Sequence, residues 1–197
     1  YYVPGITTLD YERGKAPEIR IDPWQTDDTI GPWGYKSGAK YKTTNAVVDK
    51  LIDIVSKNGN LLLNIPIKAD GSFDYESIKL LEEMGQWMEI NGEGIYGTRP
   101  WIEFGEGTIN SVAEMARLSQ YTAKDIRYTT KGDTLYAFVM DWPGEGKEVR
   151  FKLITPYNAA INPIESITML GVGDIQWEQD GMGLYVTMPD KKPHDFA

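Results

Sequence analysis

The chain has 197 residues, of which 41% are hydrophobic and 25% are charged, proportions typical of a globular protein with one large domain or two small ones. A net charge of −9 and the lack of any basic run exclude binding to a nucleic-acid backbone. With no cysteine and one histidine, His194, the chain has no material for a disulfide, a Cys–zinc site or a Ser-His-Asp site, so carboxylates and aromatic rings must do its chemistry.

The first residues and the apolar runs predict neither a targeting segment nor a membrane span. No run approaches the roughly 18 apolar residues that cross a bilayer. Residues 1–5 lack the basic and apolar regions of a signal peptide, and we expect them to lie within a longer protein. Residues 1–42 are rich in Pro, Gly, Trp and Tyr without a sustained period, which predicts loops with short strands.

A helix is predicted after residue 42. Thr43 or Thr44 is the expected N-cap, and apolar residues follow at helical spacing: Val47, Val48, Leu51, Ile54 and Val55. Asn58-Gly59 ends this helix, with Gly59 in the position of a left-handed C-cap. The apolar run 60–67 is too uniform for a half-exposed strand and predicts a strand buried on both faces.

A second helix is predicted after the turn at residues 68–71. Asp74 is its N-cap, Asn91-Gly92 ends it, and its apolar stripe consists of Ile78, Leu80, Leu81, Met84 and Met88. Helix, buried strand and helix with short connections are typical of an α/β barrel or a doubly wound sheet. We therefore predict an α/β unit over residues 1–100.

The pattern changes near residue 100 to short alternating runs separated by turns. They are Asp125–Thr130, Thr134–Trp142, Lys147–Leu153, Glu165–Leu170, Asp174–Gln179 and Leu184–Met188. Such runs predict an antiparallel β-sandwich over residues 101–197. Within the less regular stretch before them, Val112–Ala116 suits a helical turn.

Three groups of residues in the first half resemble the α-L-fucosidases of glycoside hydrolase family 29, in the family's order and spacing. They are Asp10-Tyr-Glu-Arg-Gly14 with Pro23-Trp-Gln-Thr-Asp27 and Gly31-Pro-Trp-Gly-Tyr35, then Lys57-Asn-Gly-Asn-Leu-Leu-Leu-Asn-Ile-Pro66 with Ala69-Asp-Gly71, then Asn91-Gly-Glu-Gly-Ile-Tyr-Gly-Thr-Arg-Pro-Trp101. The resemblance implies an α/β plus all-β protein: the C-terminal part of a catalytic (β/α)8-like barrel in residues 1–100, then a C-terminal β-sandwich in residues 101–197. The end of the chain, residues 189–197, is similar to the lead-in to the family's last strand, which we expect to be missing.

The resemblance also implies an activity. The family hydrolyses terminal α-L-fucose from glycans with retention, without cofactor or metal. The expected partners are a fucosylated oligosaccharide or glycoconjugate and the missing N-terminal half of the same enzyme, which would carry the nucleophilic Asp. This substrate class favours an extracellular or periplasmic location.

Glu12 is the candidate general acid/base. Retention needs two carboxylates about 5–5.5 Å apart, and the resemblance assigns the second one to Glu12, while the residues alone leave Glu18, Asp10 and Asp22 equally eligible. The acid must hold its proton before attack, which requires apolar or aromatic walls or a nearby negative charge. Tyr11 and the tryptophans are the expected walls, and the guanidinium group of Arg13 is expected to point outward or to bind another carboxylate.

The resemblance further implies substrate contacts by Trp33 and Trp24. Trp33 is matched to an aromatic residue that faces the C5 methyl group of fucose, and a hydrophobic wall suits a 6-deoxy sugar. The alternative is that Trp33 packs in the core around the turn at Gly31. Asp27 stands where many relatives have Cys, so we expect a hydrogen-bonded loop carboxylate there, with Asp27 and Tyr11 supporting the site from behind.

The remaining polar and aromatic residues favour structural roles. Asn60 and Asn64 are predicted to satisfy backbone groups, three tryptophans (Trp87, Trp101 and Trp142) to pack, and Glu103 and Glu106 to be solvated. Two other functions stay open: a non-catalytic carbohydrate-binding protein whose sandwich binds sugar, and a retaining hydrolase for a different deoxy sugar.

Overall fold

The protein is described by a computed structural model that covers residue 3 and residues 5–108, 120–161 and 163–193. The helical turn expected at Val112–Ala116 and the last four residues of the expected lead-in to a final strand, 194–197, lie outside these residues. None of the helices in the described residues has the length and apolarity needed to cross a membrane.

The first half forms an open, three-stranded parallel sheet with helices packed on it. Its order is β1 (Leu9–Asp10), β2 (Trp24–Thr29) and β3 (Gly59–Asn64), and the helix α1 (Thr44–Val55) connects β2 to β3. Trp24 lies opposite Leu9 on one side and Gly59 on the other. The α/β prediction is confirmed for this sheet, and within the described residues it does not close into a barrel.

Helix α1 begins as predicted but ends differently. The hydroxyl of Thr43 accepts a hydrogen bond from the amide of Ala46 at 3.2 Å. At the other end the left-handed residue is Asn58, with a φ of 70°, and not Gly59. Asn tolerates this conformation, and its side-chain amide donates to the carbonyl of Arg20 at 3.0 Å. Gly59 serves close approach instead, because a Cβ there would lie 2.5 Å from the indole of Trp24.

The prediction that the apolar run 60–67 is buried on both faces is wrong. The strand within it, β3, leaves Leu62 57% exposed, and Ile67 beyond it is 54% exposed. The reason is that α1 covers one face of the sheet and no described element covers the other. Asn60 and Leu62 point to that uncovered face, opposite Gln25 and Asp27 of β2.

Helix α2 (Tyr75–Asn91) begins after the predicted cap, since Asp74 accepts the amide of Ser77 at 3.0 Å. Its buried face was only partly predicted. Leu80 and Trp87 are buried, whereas Ile78 and Leu81 are 43% and 38% exposed. The helix buries the face that contains Trp87 because this ring, predicted to pack, lies 6.2 Å from the Phe138 ring in the second half.

The second half has antiparallel strands, as predicted. After a short 3-10 turn (Gly92–Gly94), its strands are β4 Arg99–Glu106, β5 Ile126–Lys131, β6 Thr134–Val139, β7 Glu148–Phe151, β8 Thr168–Met169, β9 Gly173–Asp174, β10 Trp177–Asp180 and β11 Gly183–Thr187. One sheet contains β4, β5 and β6, a second has the order β10, β11 and β7, and β8 pairs with β9. Both larger sheets contribute to one core, in which Trp101 is buried and Trp142 partly buried.

Strand β5 forms the wall between the two halves, since it packs against the second sheet on one face and against the helices on the other. Ile126 and Tyr128 face the core shared with β7 and β11. On the opposite face, Nε of Arg127 donates to Oδ1 of Asp53 in α1 at 2.6 Å, and the hydroxyl of Thr129 donates to the carbonyl of Gly94 at 2.7 Å. The strand is therefore buried on both faces, between the second sheet and the helices.

Glu106 is not solvated as predicted. It is 8% exposed, accepts the hydroxyl of Tyr128, and its Oε2 accepts the amide of Lys152 at 2.9 Å. These donors replace water around the carboxylate, which makes its burial at the end of β4 tolerable.

Candidate functional site

Three carboxylates meet at the carboxyl ends of β1 and β2. Asp10 is the last residue of β1, Glu12 follows two residues later, and Asp27 lies in β2. Oδ1 of Asp10 accepts the backbone amide of Asp27 at 3.2 Å. Because parallel strands end at the same edge of a sheet, this edge gathers side chains from separate strands, which is where α/β proteins place their sites.

Glu12 lies in a turn that β2 holds on both sides. The amide of Tyr11 donates to the carbonyl of Gln25 at 2.9 Å, and the amide of Arg13 donates to the carbonyl of Asp27 at 2.8 Å. Arg13 has a left-handed φ of 53°, which turns the chain away from the sheet immediately after Glu12. The Glu12 side chain is exposed while its backbone is fixed by its two neighbours. This is an arrangement suited to a proton donor for a bound ligand.

Asp27 differs from the expected hydrogen-bonded loop carboxylate. It lies within β2, and its Oδ1 is enclosed without a hydrogen bond from any described residue. Burial raises the pKa of Asp27 above its usual value, and the nearby negative charges of Asp10 and Glu12 raise it further. The strand places Asp27 on the sheet face opposite α1, so it lies beside Glu12 and not behind it.

Trp33 lies next to the Glu12 turn. The residue is 40% exposed, and the guanidinium carbon of Arg13 lies 5.1 Å from the centroid of its ring. The backbone carbonyl of Trp33 accepts the side-chain amide of Asn64 at 3.0 Å, which is the backbone-satisfying role predicted for Asn64. The alternative of a core position for Trp33 does not hold. Arg13, expected to point outward or to bind a carboxylate, covers this ring instead.

Trp24 is placed differently from the prediction. It has no exposed surface, packs with Ala16 and Ile54, and donates its indole N–H to the carbonyl of Lys57 at 2.8 Å. Alternate residues of β2 face helix α1, and Trp24 is one of them, so its side chain lies in the core. The predicted substrate contact therefore has no exposed surface with which to form.

Tyr11 lies beneath the Glu12 turn, and its supporting role in the site stays a prediction. Its ring meets the Trp24 ring edge to face, with centroids 5.3 Å apart, on the core side of the sheet. This contact holds Tyr11, the residue before Glu12, against the core. Tyr11 does not form a wall around the Glu12 carboxylate.

Sequence reasoning missed Lys50, which holds the Glu12 turn. Nζ of Lys50, in α1, donates to the carbonyl of Arg13 at 2.8 Å and to Asp28 at 2.6 Å. Asp28 points to the opposite side of the strand from Asp27 and is fully paired. Burial would raise its pKa, but Lys42 and Lys50 lower it below its usual value. The sequence signal for this arrangement is the pair Asp27-Asp28 within a strand. Adjacent residues of a strand face opposite sides of a sheet, so one of the two carboxylates lies on the side where lysines pair with it.

The described residues gather carboxylate and aromatic groups at this edge of the sheet. No group of three or more His, Asp or Glu side chains in them is arranged to hold a metal ion. What this edge of the sheet presents is an exposed carboxylate, an unpaired carboxylate oxygen and the face of an indole ring. Carboxylate oxygens accept hydrogen bonds from hydroxyl groups, and aromatic rings pack against the apolar parts of a ligand.

Comparison with known proteins gives consistent matches over both halves. The family model described as alpha-L-fucosidase matches residues 6–93, and that of the alpha-L-fucosidase C-terminal domain matches residues 119–197. Human tissue alpha-L-fucosidase is 31% identical over 189 residues, which cover 92% of this chain and 36% of the relative. The chain spans about a third of the length of the curated relatives it matches.

Solved structures share the fold. Alpha-L-fucosidase isoenzyme 1 from Paenibacillus thiaminolyticus has a TM-score of 0.71 and 28% identity, covering 95% of this chain and 42% of that one. The Thermotoga maritima alpha-fucosidase in complex with a mechanism-based inhibitor has a TM-score of 0.72 with 23% identity, covering 95% of this chain and 40% of that one.

Proposed function

Since the chain belongs to the α-L-fucosidase family, we propose that it is the C-terminal portion of an enzyme that removes terminal α-L-fucose from glycans. The observation that carries this proposal is the position of Glu12. The motif residue is exposed in a turn pinned by two backbone hydrogen bonds at the carboxyl end of β1, beside Asp27 and Trp33.

The proposal includes the architecture of the whole enzyme. The parallel sheet β1–β3 with α1 and α2 is the last part of a (β/α)8-like barrel, and residues 101–197 are its β-sandwich. The N-terminal half supplies the other strands, which cover the face of β3 where Leu62 is 57% exposed. It also supplies the nucleophilic Asp. An extracellular or periplasmic location stays a prediction from the substrate class.

The proposed reaction has two steps, each with Glu12 as proton carrier. First, the Asp of the N-terminal half attacks C1 of fucose while Glu12 gives its proton to the leaving glycosidic oxygen, so a C1–O bond forms and another breaks. Then the Glu12 carboxylate takes a proton from water, whose oxygen attacks C1 and releases the Asp. Two inversions give net retention, and neither step needs a cofactor.

Trp33 supports the choice of substrate in this proposal. Arg13 covers one face of the indole ring, which leaves the remaining exposed surface beside the Glu12 turn. An apolar surface there favours a sugar with a methyl group at C5 over one with a hydroxymethyl group, because the hydroxyl would lose its hydrogen bonds to water.

The test is Glu12→Gln in the full-length enzyme. Gln keeps the shape but cannot donate the proton, so kcat/KM on a natural fucoside should fall about 10²–10⁴-fold. An aryl fucoside with an activated leaving group barely needs that proton, so its first step should suffer much less and a covalent fucosyl-enzyme should accumulate. Azide, which needs no general base, should restore turnover of the aryl substrate.

Glu18→Gln is the matched control, since Glu18 is also an exposed loop carboxylate, and it should behave like the wild type. Equal losses on both substrates without azide rescue would remove Glu12 from the mechanism. A wild-type enzyme that binds fucosides without turning them over would favour the alternative of a carbohydrate-binding protein.

A further inference from the structure

A buried cluster of charges joins the two halves beneath the Glu12 turn. Its centre is Asp53 of α1, which is 0% exposed. Oδ1 accepts Nε of Arg127 at 2.6 Å, and Oδ2 lies 2.8 Å from Nζ of Lys57 and 2.9 Å from Nζ of Lys15. The three cations belong to three separate segments: β5, the turn that follows α1, and the loop that follows Glu12.

Ionisation of Asp53 is secured by its partners. Burial alone would raise the pKa of Asp53, but the positive charges of Lys15, Lys57 and Arg127 outweigh burial and hold the pKa well below its usual range. A carboxylate that stays charged in the interior holds its cations with little freedom, because each would otherwise be an unpaired buried charge.

Lys15 brings this cluster to the Glu12 turn. It lies three residues after Glu12, and its ammonium group also donates to the hydroxyl of Tyr121 at 2.9 Å, in the segment before β5. The residue after it, Ala16, is 0% exposed. The turn is therefore fixed from one side by the backbone of β2 and from the other by Lys15, whose ammonium group binds the Asp53 carboxylate of α1 and the Tyr121 hydroxyl of the second half.

Room for Arg127 in the cluster depends on a local feature of β4. The pairing of β4 with β5 shifts register between Pro100 and Gly105. A Cβ at Gly105 would lie 2.2 Å from the carbonyl oxygen of Ile126 and 2.9 Å from the Cδ atom of Arg127. The bulge with its glycine lets the guanidinium group pass from the sheet to Asp53.

From these contacts we propose that Lys15 is a positioning residue for Glu12, held in place by the β-sandwich through Asp53, Arg127 and Tyr121. The inference rests on the proposed function, because it assigns the sandwich a part in orienting the acid/base. A displacement of about 1 Å in a catalytic group costs on the order of 10²-fold in rate. Loss of the Lys15 contact should therefore affect proton donation more than other steps.

The experiment compares Lys15→Met with Lys57→Met in the full-length enzyme. Both changes remove one cation from Oδ2 of Asp53 at nearly equal distance, 2.9 and 2.8 Å, but only Lys15 belongs to the Glu12 loop. For Lys15→Met we expect kcat/KM on a fucosyl disaccharide to fall about 10-fold more than on an aryl fucoside with an activated leaving group. For Lys57→Met, kcat/KM should fall by the same factor on both substrates.

A second measurement does not depend on activity. In hydrogen–deuterium exchange, Lys15→Met should speed exchange in the peptide that contains residues 11–16, and Lys57→Met should not. If Lys15→Met fails to fold, Tyr121→Phe, which removes the hydroxyl that binds Lys15 and also contacts Asp53 and Arg127, decides by the same two measurements.

The outcomes separate this inference from the proposed function. A wild-type enzyme without turnover of either fucoside overturns both. An active wild type in which Lys15→Met, or Tyr121→Phe in its place, keeps the wild-type ratio of the two substrates and the wild-type exchange overturns the positioning role alone. A Lys57→Met variant that shifts the ratio as much as Lys15→Met also overturns it, because the effect would then belong to the charge of the cluster and not to the loop.

Discussion

Asp49 and Asp53 lie one helical turn apart on α1 in opposite electrostatic surroundings. Asp53 binds three cations, whereas Oδ1 of Asp49 is enclosed and accepts no hydrogen bond from any described residue. Burial raises the pKa of Asp49 to about 7, with the negative charge of Asp141 as the next cause. We therefore predict that Asp49→Asn stabilises the protein at neutral pH.

The magnitude follows from the raised pKa. A folded-state pKa of about 7 against the usual 3.8 corresponds to about 4 kcal/mol of unfavourable charge burial. We expect roughly half of this, ~2 kcal/mol, because the Asn amide is still a buried polar group without a partner. Between about pH 4 and pH 7 the folded protein binds more protons than the unfolded protein, so rising pH costs the wild type stability that the Asn variant keeps. Because the cost of the amide does not change with pH, the Asn variant should be less stable than the wild type by roughly 1–2 kcal/mol at pH 4 and more stable by ~2 kcal/mol above pH 7.

The assay is thermal unfolding of the full-length enzyme from pH 4 to pH 8. At pH 8, ~2 kcal/mol should raise the midpoint of Asp49→Asn by about 2 °C, because the unfolding entropy grows with chain length and the full-length relatives are roughly three times as long as this chain. Asp53→Asn is the matched control on the same helix, and it should lower the midpoint at pH 8, because removing a carboxylate from buried cations costs about 3–5 kcal/mol. A gain for Asp49→Asn that is equal at pH 4 and pH 8, or a loss at pH 8, would refute the reasoning.

Two further predictions concern substrate choice and the missing half. In the full-length enzyme, Trp33→Ala should reduce the preference for an α-L-fucoside over an α-L-galactoside, measured as the ratio of their kcat/KM values, by an amount equivalent to about 1–3 kcal/mol. A loss of stability with an unchanged ratio would make Trp33 a structural residue. Residues 1–197 expressed alone should not hydrolyse a chromogenic α-L-fucoside, because the nucleophile is assigned elsewhere and one face of β3 is uncovered; robust turnover by this chain would contradict that assignment.

The starts of both helices could be predicted because capping is local. Thr43 and Asp74 each accept an amide three residues ahead, and the sequence places the right side chains there. The antiparallel strands of the second half were predicted for a similar reason, since alternation and turn residues lie within a few positions of each other.

Burial could not be predicted in the same way, because it depends on what covers a strand. The run 60–67 is apolar, yet Leu62 is exposed. Strand β5 has polar residues at Arg127 and Thr129, yet it is buried on both faces. Arg127 is buried because it meets Asp53, which lies 74 positions away in the sequence. The Asp53–Lys57 spacing is a helical ion-pair signal, but it does not reveal a third partner.

For the candidate site, too, some features could be predicted from local sequence and others depend on the fold. Glu12 and Glu18 are both exposed loop residues, so only the motif distinguishes them. Trp24 and Trp33 both belong to motif segments, but strand parity sends Trp24 into the core while the turn after β2 leaves Trp33 exposed. Asp27 could have been placed beside Glu12 from parity alone, had its segment been assigned to a strand.

The wall formed by β5 bears on how such enzymes can be recombined. A chimera joined near residue 100 would take α1 from one parent and β5 from the other. Its interior would then contain the carboxylate of Asp53 from the first sequence and whatever the second sequence places at position 127. Exchange of sandwiches between relatives is therefore conservative only when these two positions are exchanged together, however well each half folds in its own parent.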